Sequence, residues 1–372
     1  MTVNTATPDA ADRAAETAAA ALAGRLFEAS IGTFDILSIY LGDRLGLYAA
    51  LARDGAATTT QLAERAGIDT RYAQEWLEQQ AATGILEVDD SALSAYERRY
   101  SLPDGHALAL IDPLSPFSMV PVARSIVACA QVLPQLLGAF RTGGGVAWSD
   151  YGRDMIEAQG DFNRPWLVGS LGSEYLPSVP DVHARLQADP PARVADVACG
   201  VGWAAISIAR AYPKVRVDGF DLDAGSIELA QRNAEDAGVS ERVTFAVRDA
   251  GDRSAAGQYD LAVVIEAIHD LSRPVQALAA IRQMLRPTGT LIVADERTGD
   301  AFSAPADPAE RLFYGFSVLC CLPAAQADPP SVGTGAVMRA DTLRRYGEEA
   351  GFTRVSVLDL EHDMLRFYRL DP

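Results

Sequence analysis

The apolar positions of this chain change their period along its length. Residues 16–52 carry Phe34, Ile36, Leu37, Ile39, Tyr40, Leu41, Leu45, Leu47 and Leu51. That density exceeds one helical stripe and predicts a helix buried on most sides. Thr58–Thr60 then offers a cap for a helix over 61–66 that Gly67 ends, and Asp69 or Thr70 caps a second helix to about Ala82, ended by Gly84. Ile85–Val88 and Ala95–Leu102 alternate as two short strands. Helix, glycine turn, helix and hairpin make a winged helix-turn-helix. The most apolar stretch, 113–140, is interrupted by Pro121, Arg124, Gln131, Pro134 and Gln135. It falls short of the roughly 18 uninterrupted apolar residues of a membrane span and reads as a helix or helix pair lining a core or pocket. Residues 141–152 hold a glycine run, a loop or hinge, and 153–188 read as helices leading into a second domain.

From residue 193 short β-branched runs alternate with helical stretches. Val194–Val197, Val215–Phe220, Val243–Val247, Leu261–Ile265 and Thr290–Ala294 are strand candidates, with helices over 203–212, 224–237 and 273–286 between most of them. The alternation predicts an α/β domain, a parallel sheet wrapped by helices. A loop at 322–337, a helix at about 340–350 and two closing strands, Val355–Leu360 and Met364–Tyr368, follow. The expected organisation is a disordered tail at 1–15, a winged-helix dimerisation or lid domain at 16–110, a helical linker and pocket-lining region at 111–188, and a ligand-binding domain at 189–372.

Charge narrows the partners. The 372 residues carry a formal net charge of −18, whereas phosphate binding needs clustered Lys and Arg. Residues 30–105 hold six Arg and no Lys against twelve Asp and Glu. A recognition helix there would repel DNA, so no nucleic-acid partner is expected. Cys129, Cys199, Cys320 and Cys321 have no zinc-ligand spacing, and the expectation is free thiols, no metal and a cytoplasmic location. The Ala/Thr/Asp-rich start lacks the basic stretch and apolar core of a signal peptide, and no membrane partner is expected.

The chemistry begins at Asp196–Trp203, D-V-A-C-G-V-G-W. Gly200 and Gly202 let the backbone turn sharply and approach a ligand. A helix starting near Trp203 points N–H groups at the same space, which suits a carboxylate or phosphate. Asp196, at the strand end, can receive an amino group. Asp221 ends the second strand, where an acid accepts hydrogen bonds from ribose hydroxyls. Asp249 follows the third strand, placed for an adenine amino group. Three acids on three successive strands at one sheet edge describe a nucleoside site with an amino-acid tail. A nicotinamide dinucleotide is the competitor, since Ala205 stands where its third glycine would be. The acid at the adenine position and the closing antiparallel strands favour S-adenosylmethionine.

These motifs carry a resemblance. Residues 193–296 resemble class I S-adenosylmethionine-dependent methyltransferases through V-A-D-V-A-C-G-V-G, G-F-D-L-D, V-R-D-A and Y-D-L-A-V-V-I-E-A-I-H-D-L. With L-G-D-R-L-G-L-Y, E-W-L-E-Q-Q-A, G-S-E-Y-L-P and V-M-R-A-D-T-L-R-R-Y, the whole chain is similar to the actinobacterial, Rv2258c-like members with an N-terminal winged helix. The resemblance implies a Rossmann-like sheet behind a mostly helical winged-helix domain, a homodimer, S-adenosylmethionine as cofactor and a small-molecule acceptor. The implied cofactor contacts are Asp196, Ala198, Cys199, Gly200, Gly202, Trp203, Asp221, Leu222, Asp249, Ala250, Glu266 and Tyr175. Ala198 departs from the family, which has glycine there.

Methyl transfer from a sulfonium needs nucleophile and methyl held in line. A hydroxyl nucleophile also gains typically about 10²–10⁴-fold from a base. His269, in E-A-I-H-D-L, resembles the general base of the H-D-W segment in dimeric small-molecule O-methyltransferases, with Leu271 in place of the aromatic residue. Asp270 is expected to cap the next helix. Glu296 ends the fifth strand, to orient His269 or the acceptor, or to pair with Arg297. His362 reads as structural. Phe313, Tyr314 and Phe316, or Phe34 and Tyr40, offer an aromatic wall to the acceptor. Oxygen of a secondary metabolite is the expected acceptor. Methylation of carbon or nitrogen, a non-methylating reaction at the same cofactor site, and a ligand-responsive winged-helix regulator are the alternatives.

Overall fold

A computed structural model describes residues 10–372. The first nine residues of the expected tail lie outside that range. The helix that begins at Ala10 takes in residues 10–15 of that tail, as their alanine content favours. The chain divides into two compact units, Met1–Asp112 and Pro113–Pro372. Residues 113–188, read as a linker region, therefore fold with the sheet.

The first unit opens with the helix Ala10–Arg44. Its expected burial is corrected: Phe34 is 66% exposed and Leu41 50%. Only the last turns are covered. There Gly42 lies against the rings of Tyr48 and Trp76, Trp76 Nε1 donates to the Ser38 carbonyl at 3.0 Å, and Gln79 Nε2 donates to Asp35 at 2.9 Å. Gly46, at φ 67, separates this helix from Leu47–Asp54. Thr58 closes a capping box with Gln61 on the helix Thr59–Ala66, and Gly67 ends it at φ 66. Asp69 caps Thr70–Ala82. The wing strands β1 (Glu87–Val88) and β2 (Tyr100–Ser101) are shorter than the alternation predicts. Beyond them the Asp89 carboxylate accepts the N–H groups of Asp90 and Arg99, and the Asp89 N–H donates to the Arg99 carbonyl at 3.1 Å.

In the second unit, Val120–Gln131 and Leu133–Thr142 form a pair bent by 62°. No single helix among the described residues is long and apolar enough to cross a membrane. The helix Gly152–Trp166 runs into a π-helical turn, Leu167–Tyr175, ahead of Pro180–Gln187. The sheet comprises β3 (Arg193–Val197), β4 (Arg216–Asp221), β5 (Val243–Val247), β6 (Tyr259–Ile265), β7 (Leu285–Glu296), β8 (Arg354–Val357) and β9 (Leu365–Asp371). Its order is β5-β4-β3-β6-β7-β9-β8. The first five are parallel, and β9 runs antiparallel to both neighbours. Side-chain alternation sends Val194, Val217, Leu261 and Val263 to the face under Trp203–Ala211 and Ala224–Asp236. It sends Ala195, Val197, Ala262 and Val264 to the face under Pro274–Met284 and Ala340–Glu349. The strand order reverses between β3 and β6, and a crevice opens there at the carboxyl edge.

One aromatic ring fixes that edge. Phe245 of β5 pairs with Gly219 of β4. A Cβ at Gly219 would stand 2.4 Å from the Phe245 ring and 3.1 Å from Cys199 Sγ, and one at Gly202 would stand 2.5 Å from the same ring. Gly219→Ala is therefore expected to lower stability in urea unfolding by about 1–3 kcal/mol. An unchanged midpoint would mean that Phe245 has room to move.

Candidate active site

A cavity of about 570 Å³ opens in the second unit at the carboxyl ends of β3, β4 and β6. The loop after β3 forms its floor in an unusual backbone conformation, with φ of 56° at Ala198, 51° at Gly200 and 85° at Gly202. Two carboxylates hold this loop. Asp196, 1% exposed, accepts the Ala205 N–H at 3.0 Å. Asp221 accepts the N–H of Gly200 at 2.8 Å and of Asp223 at 2.9 Å. Burial raises both carboxyls, Asp196 to about 7. The Cys199 N–H donates to the Phe220 carbonyl at 3.0 Å, which ties the loop to β4. Burial pushes the Cys199 thiol well up.

Asp196, Ala198, Cys199, Gly200, Trp203, Asp221, Leu222, Asp249, Ala250 and Glu266 all line the cavity. Gly202 stands just behind the wall as N-cap of Trp203–Ala211. The Arg164 guanidinium lies 4.1 Å over the Trp203 ring. Asp249 accepts the Gly251 N–H at 2.6 Å. Tyr175 is the exception. The π-helical turn carries its ring onto Phe367 of β9, with centroids 4.8 Å apart, and its hydroxyl donates to the Glu361 carbonyl at 3.2 Å. It does not reach the cavity wall.

Glu266 ends β6 at φ 48. Its Oε2 accepts from Gln159 Nε2 at 2.8 Å and from Asn163 Nδ2 at 2.5 Å. Burial raises this carboxyl, while the two amides favour its charge. Sequence reasoning missed Gln159 and Asn163. Their spacing of four puts them on one helix face, but nothing local connects them to a strand end more than 100 residues away.

His269 departs from expectation. It sits in the short 3₁₀ turn Ile268–Asp270, is 2% exposed and is not on the cavity wall, whereas Asp270 and Leu271 are. His269 Nδ1 lies 2.8 Å from Asp295 Oδ1 and 2.9 Å from Glu296 Oε2, and Nε2 lies 3.3 Å from Asp270 Oδ1. Burial opposes charge on the ring, but Glu296, Asp270 and Asp295 outweigh it and hold its pKa well above the usual value. Burial drives Glu296 well up. Burial also opposes the Asp295 charge, yet His269 and Glu296 overcome this and keep its carboxyl low.

Asp270 caps nothing, because Pro274–Met284 starts at Arg273 without a side-chain cap. Glu296 faces His269, while Arg297 donates to the His362 carbonyl at 3.1 Å. His362 accepts the N–H groups of Met364 and Leu365. Phe313 and Phe316 pack in a separate core, Tyr314 meets Arg339 at 3.3 Å, and none of the three lines the cavity. Its apolar lining includes Trp148, Ile156, Leu167, Val201, Ile265 and Leu271.

Residues 194–289 match the family model of a methyltransferase domain, and residues 34–111 that of an Rv2258c-like winged helix-turn-helix domain. An O-methyltransferase of Pyrenophora dematioidea is 32% identical over 181 residues, 48% of this chain and 61% of that protein. The malonyl-[acyl-carrier protein] O-methyltransferase of Halalkalibacterium halodurans is 27% identical over 116 residues, 30% of this chain and 42% of its own length. The chain thus spans less than two thirds of the curated relatives it matches. The fold likeness runs further. The mitomycin 7-O-methyltransferase MmcR superposes with a TM-score of 0.68 at 20% identity, covering 96% of this chain and 99% of that one. Human N-acetylserotonin methyltransferase superposes with 0.68 at 16% identity, covering 94% and 97%. The domains that the motifs anticipate are the ones the family models return, in the same order: the chain carries an Rv2258c-like winged helix-turn-helix domain followed by a methyltransferase domain, and its fold is that of the methyltransferases it superposes on.

Proposed function

We propose that this protein transfers a methyl group from S-adenosylmethionine to a hydroxyl of a small-molecule secondary metabolite. One observation carries the reading: Asp196, Asp221 and Asp249, from three successive parallel strands, line one cavity with Gly200. The residues fit the cofactor. A Cβ built on Gly200 meets no atom within 4 Å, so the loop leaves open space on its ligand side. Asp221 suits the ribose hydroxyls, Asp249 the adenine amino group and Asp196 the ammonium. The N-terminus of Trp203–Ala211 suits the carboxylate, and Glu266 faces the methionine part. When bound, the sulfonium supplies an electrophilic methyl group.

The acceptor lies, on this reading, against Trp148, Ile156 and Leu271 of the wall, which also carries polar side chains such as Gln159 and Asn163 that can orient a ligand. We assign the proton-accepting role to Asp270, because it is the member of the His269 cluster on the wall. Burial raises its carboxyl, which strengthens it as a base. His269 enters the proton path only through Asp270 and acts as a positioning residue. The O-methyltransferase names of the relatives support oxygen as the acceptor atom. We further read the protein as a cytoplasmic homodimer joined through Ala10–Arg44. Its four cysteines are free, and Leu26, Phe27 and Phe34 are 59%, 66% and 66% exposed along one helix.

Calorimetry with S-adenosylmethionine and S-adenosylhomocysteine tests the cofactor site. Binding in the micromolar range is expected for the wild type and is lost in Asp221→Ala. Equal binding by both proteins would remove Asp221 from the site. The pH dependence follows from Asp196. With its pKa at about 7, the free carboxyl is mostly neutral below that pH, while a bound ammonium needs the carboxylate. Affinity for S-adenosylhomocysteine therefore rises about tenfold per pH unit up to near pH 7 and then levels off. Asp196→Asn should flatten this slope, and a flat wild-type profile would place the ammonium elsewhere. Light scattering tests the assembly: a dimer is expected for the wild type and a monomer for Phe27→Glu combined with Phe34→Glu, whereas a monomeric wild type would refute the reading.

A further inference from the structure

The cluster behind Asp270 is short of positive charge. His269 is its only basic group, and no arginine or lysine nitrogen among the described residues comes within 4.0 Å of Asp270, Asp295 or Glu296. Asp295 is 1% exposed and Glu296 9%. Carboxylates at such depth are costly unless a proton or a cation balances them.

The hydrogen-bond geometry sharpens the deficit. The single hydrogen on His269 Nδ1 serves Asp295 Oδ1 at 2.8 Å. Glu296 Oε2 lies 2.9 Å from the same nitrogen yet has no hydrogen-bond partner, and neither has Asp295 Oδ2. One nitrogen with two carboxylate oxygens close against it is a poor hydrogen-bond arrangement. It is a usable ligand arrangement, because atoms bound to one ion at about 2.1 Å stand roughly 3.0 Å apart in octahedral and 3.4 Å apart in tetrahedral coordination, within small side-chain shifts of these distances. The three groups offer ligand atoms that all lie within 4.8 Å of one another.

We propose that His269 Nδ1, Asp295 and Glu296 bind one divalent first-row cation, with zinc or manganese best suited to an imidazole and two carboxylates. The ligands come from the turn after β6 and the end of β7, 26 residues apart for His269 and Asp295, so no local ligand spacing marks them in the chain. Coordination through Nδ1 leaves the hydrogen on Nε2, 3.3 Å from Asp270 Oδ1, which has no hydrogen-bond partner of its own. The ion thereby fixes the ring that backs the pocket-facing acid. The inference stands on these three side chains and does not rest on the methyl-transfer reading.

The test is metal content. The full chain is stripped with a chelator, incubated with ZnCl₂, MnCl₂ or MgCl₂, desalted and analysed by plasma mass spectrometry, with thermal unfolding followed in parallel. The expected result is one equivalent of zinc retained, manganese held more weakly, magnesium lost, and a midpoint raised by several degrees with zinc. Asp295→Asn should retain no ion, and Glu296→Gln should bind at least tenfold more weakly. Wild type that retains no ion and shows no shift would overturn the proposal and leave protons to balance the cluster. Full retention by a folded Asp295→Asn would also overturn it, by placing the ion elsewhere. Should either variant fail to fold, the wild-type stoichiometry and midpoint decide alone.

Discussion

The carboxyl edge of the sheet depends on two buried carboxylates that accept backbone hydrogens from one loop. Asp221 takes the Gly200 N–H and Asp196 takes the Ala205 N–H. Between them the chain makes left-handed turns at Ala198, Gly200 and Gly202. A left-handed alanine costs roughly 1–2 kcal/mol, and an ordinary hydrogen bond contributes about 0.5–1.5 kcal/mol net. The two bonds together are of the size that offsets the strain, and they set the floor of the cavity. The bond from Cys199 to Phe220 and the ring of Phe245 then lock that floor to β4 and β5.

The same edge concentrates acids. Asp196, Asp221, Glu266, Asp270, Asp295 and Glu296 all sit at strand ends or in the turns after them, and they fall into three kinds of surroundings. Asp196 and Asp221 meet backbone N–H groups, Glu266 meets two amides, and Asp295 meets an imidazole. Burial alone would treat the six alike, so the neighbours separate their chemistry. A ligand ammonium and a buried cation would engage different members of the group, and neither needs the other's acids.

Much of this was legible in the chain because the signals are local. Val243–Val247 forms the strand that its β-branched run predicts. Thr58 and Asp69 cap the helices their spacing assigns, and the three strand-end acids reach the cavity because successive parallel strands end on one edge. The misses have physical reasons as well. Apolar density in Ala10–Arg44 records what the helix avoids but not whether its own chain covers it. Tyr175 turns away because a π-helical turn shifts its direction relative to an α-helix. His269 lies behind Asp270 because a 3₁₀ turn exchanges which neighbour faces the ligand. Gln159 and Asn163 meet Glu266 across more than 100 residues, a contact that no short window contains.

Ala198 has a further consequence. Glycine at this position would occupy the left-handed region without strain, but it would also visit many other conformations. Alanine, once held there by Asp196 and Asp221, has fewer alternatives. Its methyl group thus trades folded-state strain for a loop that is already ordered before a ligand arrives, and capture of the ligand costs less conformational entropy.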